Sequence, residues 1–199
     1  MVARWRNYYK RAKRYYKRAR MSARPGLGYN AKVICSAVNP VSANSNGIIT
    51  GFANLGPVLK DSTLWGKVKN AYSMFRISFI KVTVGFLNVN GNYQGNSVWC
   101  AIFPGETETA KSTEEILGAN NCGEFAANVG VKKKCLQRFM KGTAEAGYGL
   151  PMSIAVFDDK PLTLSGQLSF ISGVLAASAT TNIVQITVDF YVELYSSLV

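Results

Sequence analysis

The sequence predicts an all-β domain: a single jelly-roll β-sandwich of eight strands in two sheets, with one or two short helices in loops and a basic N-terminal arm. Three observations carry this expectation. Runs of β-branched and aromatic residues alternate with clusters of Gly, Asn, Ser and Pro along most of the chain. Seven or eight such runs fall within about 170 residues, the density of a two-sheet sandwich with elaborated loops. A chain of 199 residues has room for one substantial core, which needs no disulfide or metal to fold. The expected organisation is an arm over 1–24, a hinge over 25–29 and the sandwich over 30–199.

The elements follow in order. In MSARPGLGYN, Pro25, Gly26 and Gly28 break any helix arriving from the arm, so the domain is expected to begin near Asn30. AKVICSAV (31–38) is a first strand, the turn-rich NPVSANSNG follows, and GIITGFAN (47–54) is a second strand. DSTLWGKVKNAYS (61–73) places Leu64, Val68 and Ala71 at helical spacing with Asp61 or Ser62 as cap, which predicts a short helix. MFRISFIKVTVGFL (74–87) is the strongest strand. Phe75, Ile77, Phe79, Lys81, Thr83 and Gly85 interleave there with Arg76, Ser78, Ile80, Val82, Val84 and Phe86, and neither set is purely polar. Partial cover on both faces is therefore expected.

NVNGNYQGN reads as a hairpin connection to the strand SVWCAIF (97–103), which ends at Pro104. In KSTEEILGANN, Ser112 and Glu115 stand in capping-box relation, predicting a helical turn inside a long loop. VGVKKKCLQRFM (129–140) is a strand of unclear register, and LPMSIAVF (150–157) and GQLSFISGVLAA (166–177) are further strands. NIVQITVDFYVELY (182–195) closes the series, with Ile183, Gln185, Thr187 and Asp189 alternating against Val184, Ile186, Val188 and Phe190.

Charge is distributed unevenly. Residues 1–24 hold ten cations and no carboxylate: Arg4, Arg6, Lys10, Arg11, Lys13, Arg14, Lys17, Arg18, Arg20 and Arg24. The other 175 residues carry 13 basic and 11 acidic side chains, so the net +12 resides almost wholly in the arm. The natural partner of such a segment is a dense polyanion, nucleic acid or, less specifically, an anionic membrane surface. A basic start followed by RPGLGYN is not a signal peptide, and no apolar run approaches the roughly 20 residues of a membrane span, so a soluble intracellular protein is expected.

Catalytic chemistry leaves little trace. The chain has no His, so Ser-His-Asp and Cys-His arrangements cannot be built. Glu114 with Glu115, and Asp158 with Asp159, are sequence neighbours that point to different sides of an element. The latter pair reads as solvated turn residues before Lys160 and Pro161, with a loop calcium site as the alternative. Cys35, Cys100, Cys122 and Cys135 lack CxxC spacing and read as reduced, mostly buried residues, two disulfides being the alternative. Lys132, Lys133 and Lys134 either extend a polyanion surface or protect a strand edge. No enzyme, cofactor or metal site is expected.

The arm is the one strong functional feature. Its cations neutralise phosphates and release counterions, giving affinity that depends on salt more than on sequence. Trp5, Tyr8, Tyr9, Tyr15 and Tyr16 stand among them, and aromatic side chains stack on unpaired bases, which favours single strands. YYKRA occurs twice, at 8–12 and 15–19, so two turns of helix would bring both tyrosine pairs to one side. Trp5, Tyr8, Tyr9, Ala12, Tyr15, Tyr16 and Ala19 follow the spacing of an amphipathic stripe, so docking of that stripe on protein stays open beside base stacking. A membrane-surface helix and a nuclear localisation signal have the same composition.

TLWGKVKNAYSMFRISFIKVTVGFL (63–87) resembles the region of circular single-stranded DNA virus capsid proteins, circovirus-like or nanovirus-like, where a short helix precedes a strand with an aromatic-Arg-Ile core. Here these are Phe75, Arg76 and Ile77, then Lys81, Val82, Thr83 and Val84. TVDFYVELY is similar to their closing strand, and the MV start with early Trp and basic run is reminiscent of the nanovirus-like group. The arm holds more Lys than circovirus arms, and coats of small satellite RNA viruses share the plan. The resemblance implies a capsid protein that self-assembles into an icosahedral T=1 shell of 60 copies, arms inward. Its implied partners are a single-stranded genome, DNA by this resemblance, nuclear import receptors and a host receptor. A single-stranded nucleic-acid-binding module that forms no shell, and a membrane-active or lectin-like sandwich, are the rivals.

Overall fold

The computed structural model describes residues 31–87, 97–103, 105, 109–126, 145–175 and 183–196, and the backbone of 135–138. The described strands form two antiparallel sheets. One has the order β1 (Ala31–Val41), β9 (Val184–Tyr195), β3 (Met74–Phe86), β6 (Cys135–Arg138), with the two-residue β7 (Met152–Ser153) also on β3. The other has the order β2 (Ile48–Asn54), β8 (Gln167–Val174), β4 (Ser97–Phe103), β5 (Gly123–Ala126).

The pairings nest. β1 pairs with β9, β2 with β8, β3 with β6 and β4 with β5. A long antiparallel ribbon folded once and then rolled into two layers gives this order, closed by the additional pairs β3 with β9 and β4 with β8. That is a jelly roll, as expected. β3 and β4 belong to different sheets and so do not pair as the expected hairpin; residues 88–96 between them lie outside the described residues.

The core fills from alternating positions. Along β9, Val184, Ile186, Val188, Phe190, Val192 and Leu194 are all buried, and the intervening residues face outward. Opposite them the second sheet contributes Val98, Cys100, Ile102, Leu168 and Phe170. Strand β3 follows a rule that simple alternation hides. Its register slips between Ile77 and Phe79, a one-residue bulge at Ser78, whose hydroxyl donates to the Tyr191 carbonyl at 3.1 Å. Phe75 and Ile77 face the core before the bulge, and Ile80, Val82 and Val84 after it. The mixed polarity of both sequence sets thus comes in part from a phase switch, and the expected cover on both faces holds at the start of the strand, where Phe75, Arg76 and Ile77 are buried in succession.

Short helices close one end. α1 (Leu55–Lys60) lies in a stretch, LGPVLK, for which the sequence predicted no element. Pro57 sits in the first turn, where its missing N–H costs nothing, and Gly56 passes so near Pro161 that a Cβ would lie 1.9 Å from that carbonyl oxygen. α2 (Thr63–Val68) runs into a 3-10 turn at Lys69–Ala71, within the helix predicted over 61–73. Its anchor is Trp65 rather than Leu64, which is exposed; Ser62 holds the N-cap position, and Asp61 ends the preceding helix. α3 (Thr113–Gly118) begins at Ser112 with the predicted reciprocal capping box to Glu115.

The 150–157 segment departs from expectation. Only Met152–Ser153 is strand, and α4 covers Ile154–Asp159. Ile154 and Phe157, three apart, bury on one helix face, where Phe157 meets Trp65 and Phe75 with ring centroids 5.1 and 5.0 Å away. An apolar run of this length fits strand or helix until its partners are known. Asp158 and Asp159 therefore end a helix rather than a turn. Strand limits also moved: β1 continues through Pro40, tolerated at a sheet edge, and β8 stops at Val174. Of 129–140, only 135–138 are described, as strand.

Candidate functional site

The residues that sequence reasoning selected, Arg4 through Arg24 with Trp5, Tyr8, Tyr9, Tyr15 and Tyr16, all lie outside the described residues, as do Lys132, Lys133 and Lys134. What the fold fixes is the attachment point of the arm. Ala31 opens β1, an edge strand, and pairs with Leu194 on β9. The next residue, Lys32, is the first side chain on the outer face of the five-stranded sheet.

That face is organised in rows, because antiparallel partners project to the same side. The first row is Lys32, Glu193 and Arg76 across β1, β9 and β3. Lys32 Nζ stands 3.1 Å from Glu193 Oε1, Arg76 Nη2 bonds the other carboxylate oxygen, and the Tyr195 hydroxyl donates to it at 2.9 Å. Burial alone would raise the Glu193 carboxyl; the hydrogen bonds from Arg76, Lys32 and Tyr195 outweigh it and hold it down at about 2. Burial and the same carboxylate push the Tyr195 phenol up to about 12.

The second row is Ile34, Tyr191 and Phe79. The two rings meet edge to face with centroids 5.0 Å apart, and Ile34 is 47% exposed. The third row is Ser36, Asp189 and Lys81, in which Asp189 accepts from the Ser36 hydroxyl at 2.7 Å and from Lys81 Nζ at 2.9 Å. The hydrogen bond to Asp189 raises the Lys81 ammonium, keeping it charged. Val38, 50% exposed, Thr187 and Thr83 form the fourth row.

The other sheet is covered on its outer side. Asn121 clamps the Ile102 backbone, taking its N–H at 3.3 Å and donating to its carbonyl at 2.6 Å, and Gln167 donates to the Thr109 carbonyl at 2.8 Å. Ile116 of α3 is buried against this sheet, and Lys111 lies 5.6 Å from the Phe103 ring centroid. The two sandwich faces therefore differ: one is covered over β4 by its own loop, with Phe52 and Val174 left exposed on β2 and β8, and one presents exposed apolar and charged rows.

Sequence reasoning missed this open face for two reasons. The bulge at Ser78 hid the fact that Phe79 and Lys81 share a side with Arg76, and register across three strands cannot be read from one of them. The outward set Tyr191, Glu193 and Tyr195 was nevertheless legible as a continuation of the β9 alternation.

Among the described residues no group of three or more His, Cys, Asp or Glu could hold a metal. Asp158 is instead engaged by Lys69, whose Nζ lies 2.8 Å from its carboxylate and whose hydrogen bond lowers its pKa. Cys35 and Cys122 are free thiols, so the two-disulfide alternative does not hold. Burial pushes the Cys35 thiol up to about 11. Among the described residues no helix is long and apolar enough to cross a membrane.

No protein-family model and no curated protein sequence matches the chain. Solved structures do. The chain is similar to one from tobacco necrosis virus, at 13% identity over 85% of this chain and 98% of that one, with a TM-score of 0.56. It is similar to one from the semi-empty VLP of the Macrobrachium rosenbergii nodavirus, at 9% identity over 89% of this chain and 88% of that one, TM-score 0.55. It is also similar to the decameric BFDV capsid protein, at 11% identity over 84% of this chain and 100% of that one, TM-score 0.50. At such identities the likeness establishes the jelly-roll fold.

Proposed function

We propose that this chain is a viral capsid protein which self-assembles into a small icosahedral shell and packages single-stranded nucleic acid, DNA by the sequence resemblance, through its N-terminal arm. The observation that carries the reading is the junction of two unlike parts. Ten cations without a carboxylate stand, six residues removed, before the edge strand of a jelly roll whose remaining charges nearly cancel. A sandwich supplies a rigid block that packs side by side, and the arm supplies non-specific affinity for phosphate. That the similar solved chains come from virus structures supports the same reading.

In a shell of about 60 copies, arms of ten cations bring on the order of 600 positive charges to the interior, enough to neutralise roughly that many phosphates one to one. A short genome follows. The role is structural and non-enzymatic, the location is the virion, and before assembly the exposed arm serves as a nuclear localisation signal for import receptors. Contact with a host receptor belongs to the outer loops.

Electron microscopy of the full-length protein mixed with single-stranded DNA tests the reading. Closed shells of uniform size with nuclease-protected nucleic acid are expected. Monomers or small oligomers under all conditions, with nucleic-acid affinity retained, would instead identify a binding module that forms no shell.

A further inference from the structure

The open face of the five-stranded sheet combines features that the arm alone does not need. Its second row offers one aliphatic and two aromatic side chains from three adjacent strands, a platform about 10 Å across. Cations stand on both sides of it: Lys32 and Arg76 in the row before, Lys81 in the row after. Each carboxylate on these rows is already engaged from within the chain, Glu193 by Lys32, Arg76 and Tyr195, and Asp189 by Lys81 and Ser36. On β1, β9 and β3 three cations stand against two carboxylates, the register adds Arg138 of β6 opposite Phe79, and Lys32 is a cation that reaches solvent, with its side chain 78% exposed.

Resting on the packaging function proposed above, we propose that this face is a second nucleic-acid contact, where an unpaired base stacks on Tyr191, Phe79 and Ile34 and Lys32 takes the adjoining phosphate. Aromatic platforms recognise the π-face of any base, which a duplex keeps stacked internally and a single strand exposes. Continuity with the arm supports this occupant over a second protein. Lys32 lies two residues after Asn30, and Arg24 is seven residues before Ala31, at most about 25 Å of extended chain. A strand held at Arg24 is thus within reach of the edge where the platform begins. With a net charge of only +2 against the arm's +10, the face contributes stacking more than counterion release. The two contacts therefore leave different signatures in salt.

The test uses the full chain and a 30-nucleotide oligo(dT), with a duplex of equal length as the comparison. Tyr191→Leu, which keeps bulk on the strand but removes the ring, is expected to weaken oligo(dT) binding about fivefold or more, leaving the slope against salt and the duplex affinity unchanged. Ile34→Glu, at an exposed edge-strand position, is expected to weaken it further. Oligo(dT) carrying 5-iodouracil should photocrosslink to the peptide containing Tyr191. Variants that bind as the unaltered chain does, with crosslinks confined to residues 1–30, would overturn the platform. So would loss of shells with affinity intact, which makes the face a contact between copies. Removal of residues 1–24 without a shallower salt slope sinks the packaging reading itself, whereas a shallower slope with Tyr191→Leu inert sinks only the platform.

Discussion

At the scale of single residues, Glu193 is the most consequential side chain on the open face. It balances Arg76, itself 8% exposed, and Lys32, so removing its charge leaves a buried guanidinium without its counterion. Glu193→Gln is expected to destabilise the fold by about 3 kcal/mol at neutral pH, a Tm loss of roughly 6–12 °C for a domain of this size. The pH dependence has a definite sign. A carboxyl at about 2 in the folded chain and near 4.5 when unfolded contributes its full stability above 4.5 and loses it as pH falls through 2. The variant should show a flatter stability profile across that window. Thermal melts of both proteins between pH 2 and 7 check this, and parallel profiles would remove Glu193 as the controlling group. Its pairing with Arg76 was not legible in the sequence, where the two are separated by 117 positions and only strand register brings them opposite.

At the scale of elements, what was legible depended on whether the signal was local. The capping box at Ser112 and Glu115 and the alternation along β9 are properties of a few consecutive residues, and both were read correctly. α1 and α4 were missed because their helicity is imposed by packing at the end of the sandwich. Gly56 is required there by the Pro161 carbonyl, and Ile154 and Phe157 find their partners across the molecule. The close approach makes a testable contrast. Gly56→Ala should cost about 2–3 kcal/mol, since backbone rather than a flexible side chain must yield. Gly66→Ala, within α2 and with nothing within 4 Å of the added Cβ, should gain about 0.5–1 kcal/mol from helix propensity alone. Urea unfolding of the two variants would contradict this account if both shifted the midpoint in the same direction.

At the scale of the whole molecule, the arm and the sandwich divide function by physical chemistry. Among the described residues, every buried side chain of the core that holds the sheets together lies at or after Cys35. Removing residues 1–24 therefore takes away ten cations without removing any of those core contacts, and the net charge falls from +12 to about +2. The shortened chain is expected to unfold within about 0.5 kcal/mol of the full chain, as for changes away from packed features. Its slope of log affinity against log salt should fall by up to about 7, the single-strand value for ten phosphate contacts. Shells should still close, but empty or nearly so, because lateral packing uses the sandwich and filling uses the arm. Salt titration with oligo(dT), nuclease protection and electron microscopy read the three effects separately. Retention of nucleic acid at full stoichiometry by the shortened chain would move packaging from the arm to the sheet face, where Tyr191→Leu in the same background would then abolish it.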